Sequence, residues 1–312
     1  MKTPVILPVH NEEENHIDMN TEIIGVIENI DVDYEIIYID DGSTYRSFDI
    51  LCSLREVNPN IKIIQFRRNF GQTAGLAAGF EHASGDTIIT MDSDRQNDPH
   101  DIPMLLDKID EGYDLVSGWR FDRQDAWLSR KLPSKIANLL ISKITGVKLH
   151  DYGCSLKAFH KDVVENVRLY GEMHRFIPAI ASWMGVRIAE VKVNHRARVA
   201  GSSTYGISRT FRVILDLSTV KFLLQYSARP SHFFGGLGLA SGVTGFIIAF
   251  VMLVQKFFFS IPMGDRPLLL LAVLLMFIGL QFITFGLLGE LMTRTYHEAQ
   301  NKPVYVVRKL LL

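Results

Sequence analysis

The sequence predicts an α/β domain followed by two membrane-crossing helices. Three observations carry that prediction. Strand-like apolar runs alternate with helical stretches through the first part of the chain, acidic residues recur where those runs end, and two long uncharged stretches lie back to back near the C-terminus.

The runs "VILPV" (5–9), "EIIYID" (35–40), "IKIIQF" (61–66), "TIITMD" (87–92) and "DLVSGW" (114–119) read as strands. Several are nearly continuous in apolar residues, as expected for strands covered on both faces of a parallel sheet. The stretches between them, such as Thr73 to Ala83 and Asp101 to Glu111, read as helices. Such alternation argues for an open, mainly parallel sheet. Gly71, Gly75 and Gly79 recur at a four-residue spacing, and close packing of that helix on the sheet accounts for Gly75 and Gly79.

The stretches 233–254 and 267–288 contain no charged side chain. At about 1.5 Å per residue, each can cross a hydrocarbon core about 30 Å thick. Arg209, Arg212, Lys221 and Arg229 precede the first stretch, and Arg294, Lys302, Arg308 and Lys309 follow the second. The loop between them holds only Lys256 and Arg266, so both long flanks are expected on the cytoplasmic side. Gly238, Ser241, Gly242 and Gly245 form a small-residue stripe on the first span. It permits close helix contact, either within the hairpin or between copies of the chain, and so makes a homo-oligomer an expectation. Two amphipathic basic stretches, 131–146 and 207–230, have the character of surface helices, the second leading into the membrane.

Bulk properties exclude several classes. A formal net charge of −1 over 312 residues gives no basic surface for nucleic acid. Cys52 and Cys154 form neither a disulfide framework nor a zinc spacing, which suits a reducing compartment. The reading begins directly on a strand-like run, leaving no room for a signal peptide. Neither G-x-G-x-x-G nor G-x-x-x-x-G-K-[ST] occurs, so hydride-transfer and P-loop chemistry lose their main support.

The acidic residues point elsewhere. Ligands of open α/β sheets bind beyond the carboxyl ends of the strands, where Asn11 and Glu12, Asp40 and Asp41, and Asp92 and Asp94 fall. Two carboxylates one residue apart repel each other unless a cation lies between them. Hard oxygen ligands suit Mg²⁺ or Mn²⁺, and such an ion beside a diphosphate would neutralise charge on a departing nucleotide.

The motifs "LPVHNEEENH", "IDDGST", "RRNFGQTAGLAAGF", "MDSDRQNDP" and "DYGCSLKAF", in this order, resemble the polyprenyl-phosphate glycosyltransferases, the inverting family that includes dolichol-phosphate mannose synthase. The match is nearest to the bacterial membrane-anchored branch that makes undecaprenyl-phosphate glucose or aminoarabinose. The resemblance implies a cytoplasmic GT-A nucleotide-sugar-binding domain over 1–205, a juxtamembrane amphipathic helix over 206–230, two transmembrane helices within 231–290, and a cytoplasmic tail over 291–312.

By the same resemblance, Pro8, Asn11, Glu12, Asp40, Asp41, Gln72, Asp92, Ser93 and Arg198 contact the nucleotide sugar. Asp94 is the principal metal ligand, with Gln96 and Asp92 beside it. Arg120, Arg130 and Ser134 hold the lipid phosphate, and Asp151 is the suggested base; Asp94 and Arg120 complete the catalytic set. Lys157 and Arg175 read as surface residues. Tyr45, Arg95 and Thr204 depart from the family pattern, and Arg95 is expected to place a positive charge beside the metal.

The implied reaction is inverting transfer of a sugar, glucose being favoured, from UDP-glucose to undecaprenyl phosphate at the cytoplasmic face of the inner membrane. A flippase would take the product onward. The alternatives are a GDP-mannose-dependent synthase and a non-catalytic sensor of nucleotide sugars. A processive polysaccharide synthase is disfavoured, because it needs more spans and a Q-x-x-R-W motif that the chain lacks.

Overall fold

The computed structural model describes residues 2–30, 32–44, 46–121, 138, 141–142, 145–167, 169, 173–196, 230–260, 262, 266–299 and 304–312. Two compact units emerge, one formed by residues 1–220 together with 303–312, the other by 221–302.

The first unit is built on β1 (Lys2–Val9), α1 (His16–Asn29), β2 (Asp33–Asp40), α2 (Ser47–Val57), β3 (Ile61–Phe66), α3 (Gln72–His82), β4 (Thr87–Thr90), α4 (Ile102–Asp110) and β5 (Leu115–Arg120). Then come β6 (Lys157–His160), α5 (Lys161–Asn166), α6 (Ile177–Ser182), β7 (Ile188–Val193) and, after the second unit, β8 (Val307–Leu311). All five strands and both helices expected from the sequence are present within a few residues of their expected ends. The strands lie in one eight-stranded sheet of order β7-β5-β6-β4-β1-β2-β3-β8. The sheet is parallel except for β6 and β8.

Both faces are covered, which explains the continuous apolar runs. Val5, Leu7 and Val9 of β1 share a core with Met19, Ile23 and Ile27 of α1 and with Ile102, Leu105 and Ile109 of α4. The alternate residues Ile6 and Pro8 lie under α3. A Cβ on Gly79 would come within 2.4 Å of Ile6 Cγ2, so that glycine sets how closely α3 approaches the sheet.

β6 enters antiparallel between β4 and β5, pairing Lys157 with Thr90 on one side and Ser117 on the other. Four residues with one charge at their start gave no periodic signal of a central strand. β8 revises the expected tail: its residues pair antiparallel with β3 at the sheet edge. The Tyr305 ring stacks on Phe66 at 4.9 Å between centroids, and its hydroxyl donates to Glu81. Arg55 Nη1 donates to the carbonyls of Ile61 (2.6 Å) and Leu311 (3.1 Å), and Nη2 to that of Leu312 (2.5 Å). The outer positions of β8 carry Arg308 and Lys309, charges that discourage further strands from adding to the edge.

The second unit holds α7 (Pro230–Phe259) and α8 (Pro267–Ala299). Segments 234–259 and 267–289 are long and apolar enough to cross a membrane. Only 17% and 11% of their most apolar windows are buried, unlike core helices of a water-soluble protein. The small-residue stripe packs inside the hairpin. A Cβ on Gly238 would lie 2.6 Å from the Gly279 carbonyl oxygen, and Ser241 Oγ donates to the Leu275 carbonyl at 2.9 Å. The stripe that suggested self-association is therefore occupied within one chain. The basic stretch 207–229, and most of 131–146, lie outside the described residues.

Two outcomes test these contacts. Arg55→Ala should raise amide hydrogen exchange across 307–311 by about tenfold or more while leaving β1 protected, because the edge strand loses its clamp. Gly238→Val should destabilise the hairpin by about 1–3 kcal/mol, read as a lower unfolding midpoint in detergent, because neither backbone can withdraw from the added methyls.

Candidate active site

A cavity of ≈ 690 Å³, counting the solvent in its open mouth, lies at the carboxyl ends of β1 and β4. Pro8, Gln72, Asp92, Asp94, Gln96 and Arg120 line it, as expected. So do Tyr152, Ser155, Lys157, His174 and Arg175, which the sequence reading did not place there.

The acid pair forms its base. Gln72 Nε2, at the start of α3, donates to Asp92 Oδ1 at 2.6 Å. Burial, and then the charge of Asp94, push the Asp92 carboxyl above its ordinary range, against Ser155, Arg120 and Lys157, which lower it. Asp94 is 7% exposed, and its Oδ1 accepts the Gln96 backbone N–H at 3.1 Å. Asn97 holds the loop from below, accepting from Ser155 Oγ at 2.7 Å.

This donor set fits a divalent cation. Mg²⁺ and its close analogues take one or two protein carboxylates and fill their other positions with substrate phosphate oxygens and water. Among the described residues, no group of three or more His, Cys, Asp or Glu offers a metal cage made by protein alone. Asp92 and Asp94, with Gln96 alongside, are the residues that would hold the ion.

Arg120, at the end of β5, is committed to Asp151. Its Nε donates to Oδ2 at 2.7 Å and its Nη2 to Oδ1 at 3.0 Å, a bidentate pair. The Gly153 N–H also donates to Oδ1, and Glu190 accepts the Asp151 backbone N–H. Although burial alone would lower it, the Asp151 charge raises the arginine pKa further above its ordinary value. Both oxygens of the suggested base are therefore occupied by a guanidinium.

Other residues expected at the nucleotide sugar also hold the surrounding backbone. Asp40 is fully buried, accepting from Ser43 N at 2.9 Å and Gln65 Nε2 at 3.1 Å, which closes the turn after β2. Asp41 accepts the N–H groups of Phe70 (2.6 Å) and Gly71 (2.8 Å), shaping the loop before α3. Burial raises its pKa against those bonds. Asn11, at φ 56°, accepts from Thr44 N, and Glu12 accepts from Asn15 Nδ2. Ser93 Oγ donates to the Pro8 carbonyl, tying β1 to the acid loop. Arg130, Ser134 and Arg198, with Tyr45 and Thr204, lie outside the described residues.

Two expectations are corrected. Arg95, at φ 59°, swings away from the acid pair and binds Asp18 at 2.5 Å and Glu22 at 2.8 Å on α1. Arg196 joins this network through Glu22 and Asp98, so the extra positive charge fastens the loop to α1 instead of sitting beside a metal. Lys157, read as a surface residue, is only 4% exposed, and its ammonium donates to the Cys154 carbonyl. Arg175 is half-buried at the same wall. The motif "DYGCSLKAF" carried the signal for Lys157, but not the antiparallel pairing that buries it.

His174 shows how cationic this wall is. Its Nδ1 lies 2.8 Å from Thr73 Oγ1, and its pKa is lowered to about 3 by burial first, then by the charges of Arg175 and Lys157. Between about pH 6.5 and 3 the unfolded chain binds a proton that the folded one refuses, so this contribution to stability is lost as pH falls. His174→Gln should therefore lose roughly 2–4 °C less in unfolding midpoint than wild type on going from pH 7 to 5, in detergent scans.

With that geometry in place, comparison with known proteins is informative. Residues 5–168 match the family model described as Glycosyl transferase family 2. The chain is 42% identical over 316 residues to a dodecaprenyl-phosphate galacturonate synthase from Rhizobium johnstonii, covering 99% of this chain and 93% of that one. It is 36% identical over 312 residues to an undecaprenyl-phosphate 4-deoxy-4-formamido-L-arabinose transferase from Proteus mirabilis, covering 99% and 94%. Among solved structures, glucosyl-3-phosphoglycerate synthase from Mycobacterium tuberculosis, in complex with Mn²⁺ and UDP-glucose, superposes with a TM-score of 0.56 at 17% identity. The match covers 72% of this chain and 78% of that one, and it shows a shared GT-A fold. The parallel sheet, the acid pair at its carboxyl edge and near full-length similarity to two polyprenyl-phosphate sugar transferases converge: the chain belongs to glycosyl transferase family 2 and is a glycosyltransferase.

Proposed function

We propose that the chain transfers a sugar, with inversion, from a nucleoside diphosphate sugar to a polyprenyl phosphate at a membrane surface. The observation that carries this reading is that the acid pair Asp92–Asp94 and Arg120 line one cavity, in a chain that also supplies two helices long and apolar enough to cross a membrane. Support for the lipid acceptor comes from the two long relatives, whose names specify dodecaprenyl and undecaprenyl phosphate. Those names specify galacturonate and formamido-arabinose, so the glucose preference read from the sequence finds no support in them.

The chemistry asks little of a base. A phosphate monoester has its second pKa at about 6 and is largely a dianion at pH 7. One of its oxygens forms a bond to the anomeric carbon while the bond from that carbon to the β-phosphate oxygen breaks. The nucleoside diphosphate leaves with the electron pair, and no proton has to move. A divalent ion held by Asp94 and Asp92 supplies charge neutralisation at the leaving diphosphate. The residues themselves position and neutralise. Asp151, clamped on both oxygens, serves as a positioning residue that fixes the planar fork of Arg120 for the incoming phosphate. Gln72 orients Asp92 in the same way.

The C-terminal strand bears on topology. β8 belongs to the same sheet as β1 to β7, yet it follows both spans in sequence. A single sheet cannot fold across a bilayer, so a spanning hairpin must return the chain to the side it left. The basic residues of the flanks favour the cytoplasm for that side.

The test is transfer of radiolabel from a panel of UDP-sugars and GDP-mannose to undecaprenyl phosphate in detergent, with Mg²⁺ or Mn²⁺. Labelled lipid should appear with at least one donor, and Asp94→Ala should reduce kcat by about 10²–10³-fold or more. Arg120→Lys should lower kcat/KM by about 10–100-fold, because a point charge cannot replace a bidentate fork. Nucleotide-sugar binding without product from any donor would favour the sensor reading instead.

A further inference from the structure

Between β3 and α3 runs a loop, residues 67–71, whose path decides where α3 begins. No side chain caps this helix: its N-cap is Gly71, at φ 92°. A helix start without a cap of its own depends on neighbouring contacts for its position. On one side the loop lies against the turn after β2. Asp41 accepts the Phe70 and Gly71 N–H groups, and a Cβ on Gly42 would come within 2.3 Å of the Arg68 carbonyl carbon. What the loop positions is Gln72, the first residue of α3, whose amide meets Asp92 at 2.6 Å.

The other side is closed by a segment that follows both long apolar helices in sequence. The Arg67 N–H donates to the Val306 carbonyl at 3.0 Å. Tyr305, 6% exposed, stacks on Phe66 with ring planes 19° apart, and Phe66 meets the Phe70 ring edge-on at 5.7 Å between centroids. The Tyr305 hydroxyl donates to Glu81 on α3. One residue therefore touches both the end of β3 and α3, the two elements that the loop joins. β8 itself pairs with β3 from Val307–Phe66 to Leu311–Ile63, and Arg55 holds its far end at Leu311 and Leu312. The edge strand thus has two fastenings, and only that of Tyr305 lies at the carboxyl end of β3, the end of the sheet that carries the cavity.

We propose that Tyr305 is a positioning residue for the donor site: by tying Phe66 to α3 it sets the 67–71 loop and holds Gln72 against Asp92. The inference rests on the glycosyl-transfer reading above and adds to it a dependence on the segment after the hairpin. Ring stacking and a hydrogen bond to a carboxylate are both directional, so the pair fixes α3 in angle as well as distance. A displacement of about 1 Å at a reacting site can cost about 100-fold in rate. The donor site is accordingly complete only once the chain has returned from its two apolar helices to pair with β3.

The experiment compares the two fastenings in the full chain in detergent. Hydrogen exchange is read at 67–76 and at 307–311, and calorimetry with Mn²⁺ reads the affinity for UDP and GDP. Tyr305→Leu should speed exchange at 67–76 by about tenfold or more and weaken the preferred nucleotide about tenfold. Tyr305→Phe keeps the stack and should recover most of that affinity. Arg55→Ala should loosen 307–311 while nucleotide affinity stays within about threefold. In a Gln72→Ala background, Tyr305→Leu should cost less than about threefold more, because a residue acting through Gln72 has nothing left to position. Should Tyr305→Leu fail to fold, Glu81→Ala makes the same comparison from α3.

Unchanged nucleotide affinity in Tyr305→Leu overturns the proposal, whatever the exchange at 67–76 shows. So does an equal loss in Tyr305→Leu and Arg55→Ala, which would make Tyr305 a fastening of the strand alone. A full loss in the Gln72→Ala background overturns it too, and a wild type that binds neither nucleotide overturns it together with the glycosyl-transfer reading. A parallel transfer assay separates the two. Nucleotide affinity that depends on Tyr305, with no lipid-linked product from any donor, supports positioning and removes the lipid-transfer reading. Lipid-linked product, with Tyr305→Leu matching wild type in KM and affinity, does the opposite.

Discussion

Two carboxylates one residue apart, one half-buried and one buried just past the end of a strand, repel each other, and much of the architecture around them answers that repulsion. Burial and the charge of Asp94 both push Asp92 toward its neutral form. Opposing them are the Gln72 amide from α3, the Ser155 hydroxyl, and the charges of Arg120 from β5 and Lys157 from β6. These groups come from three separate parts of the chain, Ser155 and Lys157 sharing one. Only the folded sheet brings them to one point, so the acid pair is poised for a cation only where that sheet is complete. The Arg95–Glu22–Arg196 network outside the cavity serves the same end, fastening the loop that carries Asp94 to α1.

The insertion of β6 between β4 and β5 matters as much as the parallel core. An antiparallel strand at this point brings the chain back from the Asp151 loop directly beside the acid pair. One short segment thereby delivers Asp151 to Arg120 and Lys157 to the cavity wall. Arg120 and Lys157 are placed by the pairing of the ladder, which holds them more rigidly than a loop could. Preorganised charge of this kind is what a reaction between two anionic substrates needs, because the protein need not reorganise as charge shifts from sugar to departing diphosphate.

The apolar hairpin follows a different rule. Lipid supplies no hydrophobic drive for helix pairing, so contact depends on close backbone approach and hydrogen bonds. Gly238 against Gly279 and Ser241 against the Leu275 carbonyl provide both. The C-terminal strand then returns to β3 and is held by Arg55 and Tyr305. The hairpin is thereby bracketed in sequence by two parts of one sheet.

Local pattern carried much of this protein openly in its sequence. Five strands and two helices followed from the alternation of apolar runs, because burial on both faces leaves an uninterrupted signature. The two long apolar helices followed from length and the absence of charge, and the acid pair from its position after a strand. Partners were not legible, since a sequence records periodicity but not neighbours. Asp40 and Asp41 look alike, yet the pleat and the turn send one to Gln65 and both into support of the backbone. Arg95 looked like a metal-site charge until a left-handed backbone turned it toward α1. Lys157, alone in a four-residue strand, gave no hint of burial, because antiparallel pairing with strands far away in sequence is what removes it from water. The glycine stripe could have faced another chain or its own. The distance from Gly238 to Gly279 settled that choice, because only backbone without side chains can approach so closely.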